Sequence, residues 1–485
     1  MENSTELRKV VYNVLLTQIQ FGTYRYGEKL PNIEETSSLL CVSVDTARAA
    51  YLKLRDGGYI TLSKNVGATV SVKLSAQETE QFVQTFFSMR KHAIFDLAAS
   101  MFPLFGNVQW NGLKNASSET LQAMDRLSRE VSTSAPYAIL THINQKYSAL
   151  GNALLMRLVW QSSMFLHVPI FSFTDNLQYF EPSADYLPAV MTLCRNKDWP
   201  SLRAEVERTM KRLSFALNRF YETRITAPPA EEEITFAWSS YRKNQQLCYS
   251  FAMELLLSIS QGKYPVGSLL PSQKELAARK GISLSTVRRA FDLLYSVGAI
   301  KSAKYVGTKI LPFDKTTENS DFTNPVLRRR LIDMTESLQI LALSCREVSL
   351  LTLSSLDGAS VRQLLRELDS NRKRQRGETL SYFILKSIAE LAPLQTIRTV
   401  YSELLLQFFW AYALRGMEGS QEYINRIYAP YFDALAEALQ KEDYLRFSAA
   451  LEELIIYELR STVNYLSQLG FPEMENILIP DENRN

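Results

Sequence analysis

An internal repeat without gaps constrains this chain more than any other feature. Gly262 lies 240 positions after Gly22, and Gly307 lies 240 positions after Gly67, so one register holds throughout the repeat. The same offset joins these identical residues: Tyr24 and Tyr264, Gly27 and Gly267, Leu30-Pro31 and Leu270-Pro271, Glu35 and Glu275, Ser43 and Ser283, Thr46 and Thr286, Arg48 and Arg288, Leu54 and Leu294, Gly58 and Gly298, Ile60 and Ile300, Lys64 and Lys304. A constant offset predicts that one structural unit has been doubled along the chain.

The C-terminal copy, Gly262–Ile310, carries the signals of a winged helix-turn-helix in the required order. Ser272 and Glu275 form a capping-box pattern that begins a short helix, and Gly281 marks the turn that follows. Ser283 is placed to cap a second helix, which we call the reading helix. Its apolar residues recur at helical spacing and are predicted to face inward: Val287, Ala290, Phe291 and Leu294. The residues predicted to face outward are Ser285, Arg288, Arg289 and Asp292.

A hairpin is predicted after Gly298, where the reading helix ends. Its strands are residues 299–301 and 309–310, and residues 304–307 form the tip. Such a wing can lay a cation against the DNA backbone or the minor groove, while hydroxyl and guanidinium groups near a helix N-terminus can reach a major groove. The residues of this copy predicted to contact DNA are Ser283, Ser285, Thr286, Arg288, Arg289, Lys301, Lys304, Tyr305 and Gly307.

These residues also carry a resemblance to a known family. The order G-x-x-x-x-G-x-x-L-P-S, then S-x-S-T-V-R-R-A, a Gly-Ala-Ile strand and a Val-Gly wing resembles the GntR family of bacterial repressors. The resemblance implies a transcription regulator that binds a double-stranded DNA operator. Leu284 departs from the family pattern, which often has an arginine at this point, so one phosphate or base contact is expected to be missing.

The N-terminal copy keeps fewer DNA-binding groups. The outward face of its reading helix is Asp45, Arg48, Ala49 and Leu52. A carboxylate at this face is repelled by phosphate unless it meets a cytosine amino group, so the C-terminal copy is predicted to be the stronger reader. The residues of the N-terminal copy predicted to hold DNA are Ser43, Asp45, Thr46, Arg48, Lys64, Asn65 and Gly67.

A long stretch with helical periodicity, little Gly or Pro and no strand alternation follows each copy, and it predicts an all-helical bundle. The expected fold class is mainly α, with two winged helix-turn-helix domains that are each followed by an all-α bundle. The predicted domains are 1–73 and 239–312 for the winged helices, 77–225 and 325–479 for the effector or dimerisation bundles, and 226–238 for the linker.

The bundles resemble the FCD effector domains of one GntR subfamily, because Tyr147–Leu155, YSALGNALL, is similar to their Ser-Gly-Asn-Pro-x-Leu segment. This resemblance implies a small-molecule effector within the bundles. Many members of the subfamily bind a divalent metal through an aspartate and three histidines. The histidines here, His92, His142 and His167, do not match those ligand positions, so neither a metal nor another cofactor is predicted.

The remaining composition excludes several classes of protein. The cysteines, Cys41, Cys194, Cys248 and Cys345, are far apart, which predicts free thiols in a reducing cytosol. Catalytic motifs such as G-x-S-x-G, a P-loop or H-E-x-x-H do not occur, so no enzyme and no catalytic residue is predicted. The N-terminus has no apolar signal core, and Leu404–Leu414 is too short to span a bilayer, which predicts a cytoplasmic protein without a membrane partner.

Two functional interpretations follow from these patterns. The first is a ligand-responsive repressor whose two readers form an intramolecular pseudo-dimer or belong to a homodimer. The alternative is a regulator whose degenerate winged helices bind another protein, which the net charge of +3 and Asp45 favour. Two basic runs remain open: Asn371–Arg376 indicates a solvated loop between helices, and Leu327–Arg330 is a candidate auxiliary phosphate contact.

Overall fold

The computed structural model describes residues 4–40, 42–63, 66–130, 145–173, 178–179, 186–239 and 243–480. These residues are mainly helical, and their sheets are two antiparallel hairpins of two strands each. The chain forms two compact units. The first comprises Met1–Phe102, Gly106–Leu150 and Met156–Phe236, and the second comprises Pro103–Phe105, Gly151–Leu155 and Ala237–Asn485.

The first unit begins with three helices, Ser4–Gln20, Ile33–Leu39 and Val44–Asp56, followed by strands β1 (Ile60–Ser63) and β2 (Gly67–Val70). β1 pairs with β2 in the register Ile60 with Val70. Helices then make up most of the described part of the unit. These helices, which lie wholly or mostly in the first unit, are Ala76–Ser88, Lys91–Lys114, Ser118–Glu130, the 3-10 turn Ser148–Leu150, Ala153–Phe165, His167–Ile170, Tyr186–Asn196 and Trp199–Arg224.

An apolar cluster closes the first three helices over the hairpin. The cluster includes Val11, Leu15 and Ile19 of the first helix and Leu54 of the third, all fully or almost fully buried. Tyr51 is also buried, and its hydroxyl donates to the Pro31 carbonyl at 2.5 Å and lies 2.7 Å from Thr36 Oγ1. These hydrogen bonds satisfy a polar group that would otherwise be costly to bury.

The second unit repeats this order of elements. Helices Lys243–Ser260, Gln273–Lys280 and Leu284–Ser296 precede strands β3 (Ile300–Ala303) and β4 (Gly307–Ile310), which pair in the register Ile300 with Ile310. The strands begin and end within three residues of the predicted positions. The elements that follow are the 3-10 turn Phe313–Lys315 and helix Thr316–Asn319, then Pro325–Ser354, Gly358–Lys373, the 3-10 turn Gly377–Thr379, Leu380–Leu391, Gln395–Leu405, the 3-10 helix Leu406–Met417, Gln421–Gln440, Tyr444–Gln468 and the 3-10 turn Pro472–Asn476.

Two long helices form the centre of the second bundle. Pro325–Ser354 is buried at every position from Leu331 to Cys345, as expected of a helix packed on all sides. It packs along Tyr444–Gln468, where Ser349 Oγ donates to Ser448 Oγ at 2.8 Å and Arg346 Nη1 lies 3.3 Å from Glu452 Oε2. These polar contacts cross an otherwise apolar interface and help to set its register.

A 3-10 helix joins this bundle to the reader. Leu406–Met417, which we call the 3-10 segment, is much longer than most 3-10 helices. The Tyr249 ring of helix Lys243–Ser260 lies 6.2 Å from the Phe409 ring and 5.8 Å from the Trp410 ring, centroid to centroid. Thr317 Oγ1 donates to the Ala413 carbonyl at 2.9 Å. The aromatic residues therefore serve as core, and they connect the reader to the bundle.

The two basic runs are partly neutralised by acidic residues of the second unit. Arg329 Nη2 lies 2.7 Å from Asp333 Oδ1, and Arg372 Nη1 lies 2.7 Å from Asp433 Oδ1. The prediction that the whole of Asn371–Arg376 lies between helices is wrong, because helix Gly358–Lys373 includes its first three residues. No helix among the described residues is long and apolar enough to cross a membrane.

A comparison of two equivalent glycines tests the packing around the C-terminal reader. Gly58 and Gly298 both have positive φ, of 76° and 67°. A Cβ at Gly298 would lie 2.6 Å from the Thr316 carbonyl oxygen, whereas a Cβ at Gly58 meets nothing within 4 Å. We expect Gly58→Ala to lower the free energy of unfolding by about 1–2 kcal/mol through backbone strain alone. Gly298→Ala should cost about 1–3 kcal/mol more, because Thr316 must move.

Urea unfolding of both variants measures the difference, and amide hydrogen exchange in residues 313–320 locates it. Faster exchange there in Gly298→Ala, with no change in Gly58→Ala, is the expected result. Equal losses of stability in the two variants would contradict the packing described for Gly298.

Candidate nucleic-acid interface

The reading helix, Leu284–Ser296, is oriented by the burial of one face. Ser283 caps it, and its Oγ accepts from the Thr286 amide at 3.1 Å. The predicted inward residues are all buried: Val287, Ala290, Phe291 and Leu294. The helix before it, Gln273–Lys280, is capped by Ser272 as predicted. The predicted return contact of Glu275 is replaced, because its carboxylate bonds to Arg279 one turn later.

The opposite face of the reading helix presents cations that lack carboxylate partners. Ser285, Arg288, Arg289 and Asp292 are all exposed, as predicted. Among the described residues, no carboxylate lies within salt-bridge distance of Arg288 or Arg289. Burial raises the pKa of the nearby Cys248 thiol, and the Arg289 charge opposes that rise. The two guanidinium groups are therefore solvated and available to an anion.

The wing of the same reader adds a second set of cations. Lys301 on β3 lies directly opposite Lys309 on β4, and both side chains are exposed. Like charges directly opposite each other destabilise a hairpin unless an anion lies between them. At the tip, Lys304 Nζ lies 5.2 Å from the centroid of the Tyr305 ring, which is 95% exposed. Gly307 begins β4 with a positive φ of 130°.

Lys309 is missing from the predicted DNA contacts, although the sequence places it with Lys301 and Lys304 among the cations that favour DNA over a protein partner. The repeat does not mark this position as a DNA contact, because the N-terminal copy has Thr69 there and Thr61 on the paired strand. The strand register would have identified it, since a residue paired with Lys301 must share the same face of the hairpin. The cationic surface of the C-terminal reader thus comprises Arg288, Arg289, Lys301, Lys304 and Lys309.

The equivalent surface of the N-terminal copy is closer to neutral. Arg48 Nη1 lies 3.2 Å from Asp45 Oδ1, so the arginine on this face is paired within its own helix. Ser43 caps helix Val44–Asp56, and its Oγ accepts from the Thr46 amide at 3.2 Å.

Thr46 was predicted to contact DNA. It is buried, and its Oγ1 lies 2.8 Å from Ser43 Oγ, so its hydroxyl lies beneath the outward face. Gly67 has φ of 88° at the start of β2. Lys64 and Asn65, also predicted to contact DNA, lie outside the described residues.

The described histidines and cysteines do not form a metal site. His92 Nδ1 lies 2.8 Å from Glu233 Oε1. Burial lowers the pKa of His167 to about 4, and the positive charge of Lys146 lowers it further. His142 and Cys41 lie outside the described residues. Within the part of the chain that is described, no group of three or more His, Cys, Asp or Glu residues is arranged to hold a metal ion.

Sequence comparison connects the C-terminal reader to known regulators. Residues 251–310 match the family described as bacterial regulatory proteins, gntR family. That range contains the reading helix and both strands of the wing. A curated relative, the uncharacterized HTH-type transcriptional regulator YieP of Escherichia coli (strain K12), is 32% identical over 68 residues, which are 14% of this chain and 30% of the relative. The chain therefore spans less than a third of that relative.

Solved structures of GntR regulators are also similar to parts of this chain. Streptococcus agalactiae GntR is 18% identical with a TM-score of 0.20, and the match covers 44% of this chain and 99% of that one. A putative transcriptional regulator GntR from Rhodococcus sp. RHA1 is 14% identical with a TM-score of 0.24, covering 46% and 100%. E. coli McbR/YncC is 14% identical with a TM-score of 0.22, covering 44% and 98%.

Replacing Lys301 by the threonine found at the same position of the other hairpin tests the repulsion in the wing. We expect Lys301→Thr to raise the free energy of unfolding by about 0.2–1 kcal/mol at low salt, because Lys309 then faces a neutral residue. The gain should shrink as salt screens the charges. Urea unfolding at low and high NaCl measures both effects. Lys263→Thr is the control, and an equal gain in that variant would rule out cross-strand repulsion as the cause.

Proposed function

We propose that this protein is a sequence-specific DNA-binding transcription regulator, and that residues 239–312 form its stronger reader. The observation that supports this most is the cationic surface on which Arg288 and Arg289 have no carboxylate of the described residues within salt-bridge distance. Phosphates attract such a surface, and guanidinium groups on an exposed helix can bond to the edge of guanine. The gntR match over residues 251–310 supports the same function independently.

We also propose that the chain arose by duplication of a unit made of a winged helix and a helical bundle. The constant offset of 240 supports this, as does the shared order of three helices and one hairpin. The buried pair Thr36 and Tyr51 has Leu276 and Phe291 at the equivalent positions, and all four are buried. Two equivalent core positions thus hold a hydrogen-bonded pair in one copy and an apolar pair in the other, so neither core is left with an unsatisfied polar group at these positions.

The two readers are proposed to act unequally on one DNA site. Asp45 neutralises Arg48 in the N-terminal copy, whereas Ser285 takes the equivalent place near Arg288 in the C-terminal copy. Two linked readers, as an intramolecular pseudo-dimer or within a homodimer, raise each other's effective concentration on DNA. A weak reader can then still contribute to an asymmetric operator.

Regulation is proposed to be repression that responds to a small molecule bound in a bundle. The 3-10 segment supports this mechanism, because its Phe409 and Trp410 contact Tyr249 on the helix against which the reading helix packs. A ligand that favours one position of the segment would shift the population of reader positions. The contacts provide a route within one unit from bundle to reader.

A second candidate is a regulator that binds another protein. The neutralised face of the N-terminal copy favours it, as do exposed apolar residues beside the C-terminal wing: Val266, Leu269, Tyr305 and Val306. Selection of bound DNA from a random pool with the full chain separates the two candidates. Enrichment of one asymmetric sequence supports the regulator with unequal readers, a palindrome supports equal readers, and no enrichment favours the protein-binding candidate.

Alanine substitutions on the reading helix test DNA recognition. Arg288→Ala and Arg289→Ala should each weaken binding to the selected sequence by about 1–3 kcal/mol and relax its sequence preference. Lys304→Ala should weaken binding uniformly across sequences and reduce the salt slope by about 1. Fluorescence anisotropy at several salt concentrations measures both quantities. Arg366→Ala, an exposed arginine in the bundle, is the control, and unchanged binding by both reading-helix variants would refute the assignment.

A substitution in the N-terminal copy tests the inequality of the readers. Asp45→Ser should strengthen DNA binding severalfold, because it removes a charge that phosphate repels and releases Arg48. Glu34→Ser, which removes an exposed carboxylate from the neighbouring helix, is the control. Weaker binding by Asp45→Ser would instead indicate that the carboxylate reads a cytosine amino group.

A further inference from the structure

A cavity of about 120 Å³ lies inside the C-terminal bundle, within the second unit. Apolar residues of the central helix and the 3-10 segment line part of it, including Met334 and Phe408. Its polar lining contains three carboxylates, Glu378, Glu418 and Glu458. Because a cavity of roughly 150 Å³ can hold benzene, this one suits a ligand of about five or six non-hydrogen atoms.

Glu378 has an unused hydrogen-bond acceptor at this cavity. Its side chain is 9% exposed, and its Oε2 accepts from Gln421 Nε2 at 2.8 Å. Its Oε1 is buried and has no hydrogen-bond donor among the described residues, and the guanidinium of Arg376 lies 3.8 Å away. A buried carboxylate oxygen without a donor is costly, so a ligand that brings an N–H group to it gains a strong contact.

The other two carboxylates are poorly solvated. Burial raises the pKa of Glu418 to about 8 against the opposing charge of Arg415, and Glu418 Oε2 also lacks a hydrogen-bond donor. Burial raises the pKa of Glu458 to about 7, although Tyr428 donates to its Oε1 at 3.1 Å. A cation beside these groups would favour their charged forms.

Among the described residues, fewer positive charges than negative ones lie around the cavity. Arg376 and Arg415 are the nearby guanidinium groups, and both donate to Gln421 Oε1, at 2.7 and 2.9 Å. Arg415 also donates to the Gly419 carbonyl at 3.1 Å. Two guanidinium groups face three carboxylates, so full ionisation leaves one negative charge in excess.

Aromatic side chains complete the lining. Tyr428 and Tyr457 have ring centroids 6.3 Å apart in an edge-to-face arrangement, and Tyr465 lines the same cavity. Burial raises the pKa of each phenol, so all three are neutral at pH 7. The negative faces of tyrosine rings attract organic cations. A metal ion is disfavoured, because no group of three or more His, Cys, Asp or Glu side chains among the described residues is arranged to hold one.

We propose that this cavity binds a small organic monocation that carries N–H donors, such as an alkylammonium ion. The ammonium group bonds to Glu378 Oε1, and its positive charge stabilises the ionised form of Glu458. The alkyl part lies against the apolar lining formed by Met334 and Phe408. The aromatic rings of Tyr428 and Tyr457 contact the cation from the side.

The position of the cavity connects this ligand to the reader. Phe408 and Ala411 of the 3-10 segment line the cavity, while the adjacent Phe409 and Trp410 contact Tyr249. Occupation of the cavity therefore acts on the element that supports the reading helix. The inference that the ammonium ligand is the effector rests on the proposed regulatory function.

Isothermal titration of the full chain with n-butylammonium chloride tests the site. Neutral n-butanol and anionic butyrate are the matched probes of similar size. We expect n-butylammonium to bind with a Kd on the order of 1 mM or tighter. The neutral and anionic probes should bind at least tenfold more weakly, because each leaves the excess carboxylate without a partner. Equal binding of n-butanol, or no binding of the ammonium ion, would overturn the proposal.

Two neutral variants locate the binding site. Glu378→Gln and Glu458→Gln should each weaken n-butylammonium binding at least tenfold, while Glu453→Gln, exposed on the same helix as Glu458, should leave it unchanged. Thermal unfolding confirms that each variant is folded. Because Glu458 has a raised pKa, replacing it by glutamine should not lower stability at pH 9, where its charge is least favourable. Unchanged binding in both folded variants would place the ligand elsewhere.

Proton release on binding distinguishes direct contact between the cation and these carboxylates from a purely structural role of the carboxylates. At pH 7, binding of the cation should release protons, because it lowers the raised pKa values of Glu418 and Glu458. The release should vanish at pH 9, where both groups are already ionised. Titrations in buffers of different ionisation enthalpy measure it. Binding without proton release at pH 7 would contradict the assignment to these carboxylates.

DNA binding with and without n-butylammonium then separates the two proposals. A change in affinity for the selected sequence supports the role of the site as the effector site. Binding at the cavity with no effect on DNA refutes that role while leaving the cation site established. Failure of DNA selection refutes the proposed regulator, and the titrations still decide the cation site.

Discussion

Burial of one face of the reading helix is the constraint on which the rest of this structure depends. Val287, Ala290, Phe291 and Leu294 enter the core, so the intervening positions must point outward. Arg288 and Arg289 are thereby held at the surface by apolar packing alone. The same core fixes the base of the wing through Ile300 and Ile310, so the paired Lys301 and Lys309 lie on the exposed face of the hairpin. The buried face that stabilises the domain and the exposed face proposed to bind DNA thus lie on opposite sides of one helix.

The bundle contributes a second constraint, because its apolar core contains carboxylate oxygens that have no hydrogen-bond donor among the described residues. The 3-10 segment lies between the cavity and the reader, with Phe408 on one side and Phe409 and Trp410 on the other. A 3-10 helix of this length has poorer hydrogen-bond geometry than an α-helix, which makes it a suitable element to change position. The 3-10 segment therefore connects the core of the bundle to the reader, and it is the element through which we propose that regulation acts.

Local sequence signals predicted the elements of the reader well. The cap at Ser283, the inward and outward faces of the reading helix and the two strands follow from spacing, since each depends on residues within a turn or two. The errors concern side chains with more than one available partner. Glu275 bonds to Arg279 instead of completing the capping box, and Thr46 is buried against Ser43. The DNA-binding role of the predicted residues stays a prediction.

The sequence by itself determined the repeat, the helical periodicity and the faces of the reading helix, because these depend on the order of residues along one element. Only the tertiary structure decided that Lys309 lies opposite Lys301, that Phe409 contacts Tyr249, and that Glu378, Glu418 and Glu458 line one cavity. The three glutamates are separated by about forty residues each, in different elements. Tertiary packing brings the three glutamates together. Local periodicity cannot predict this, because it depends only on residues that are close in the sequence.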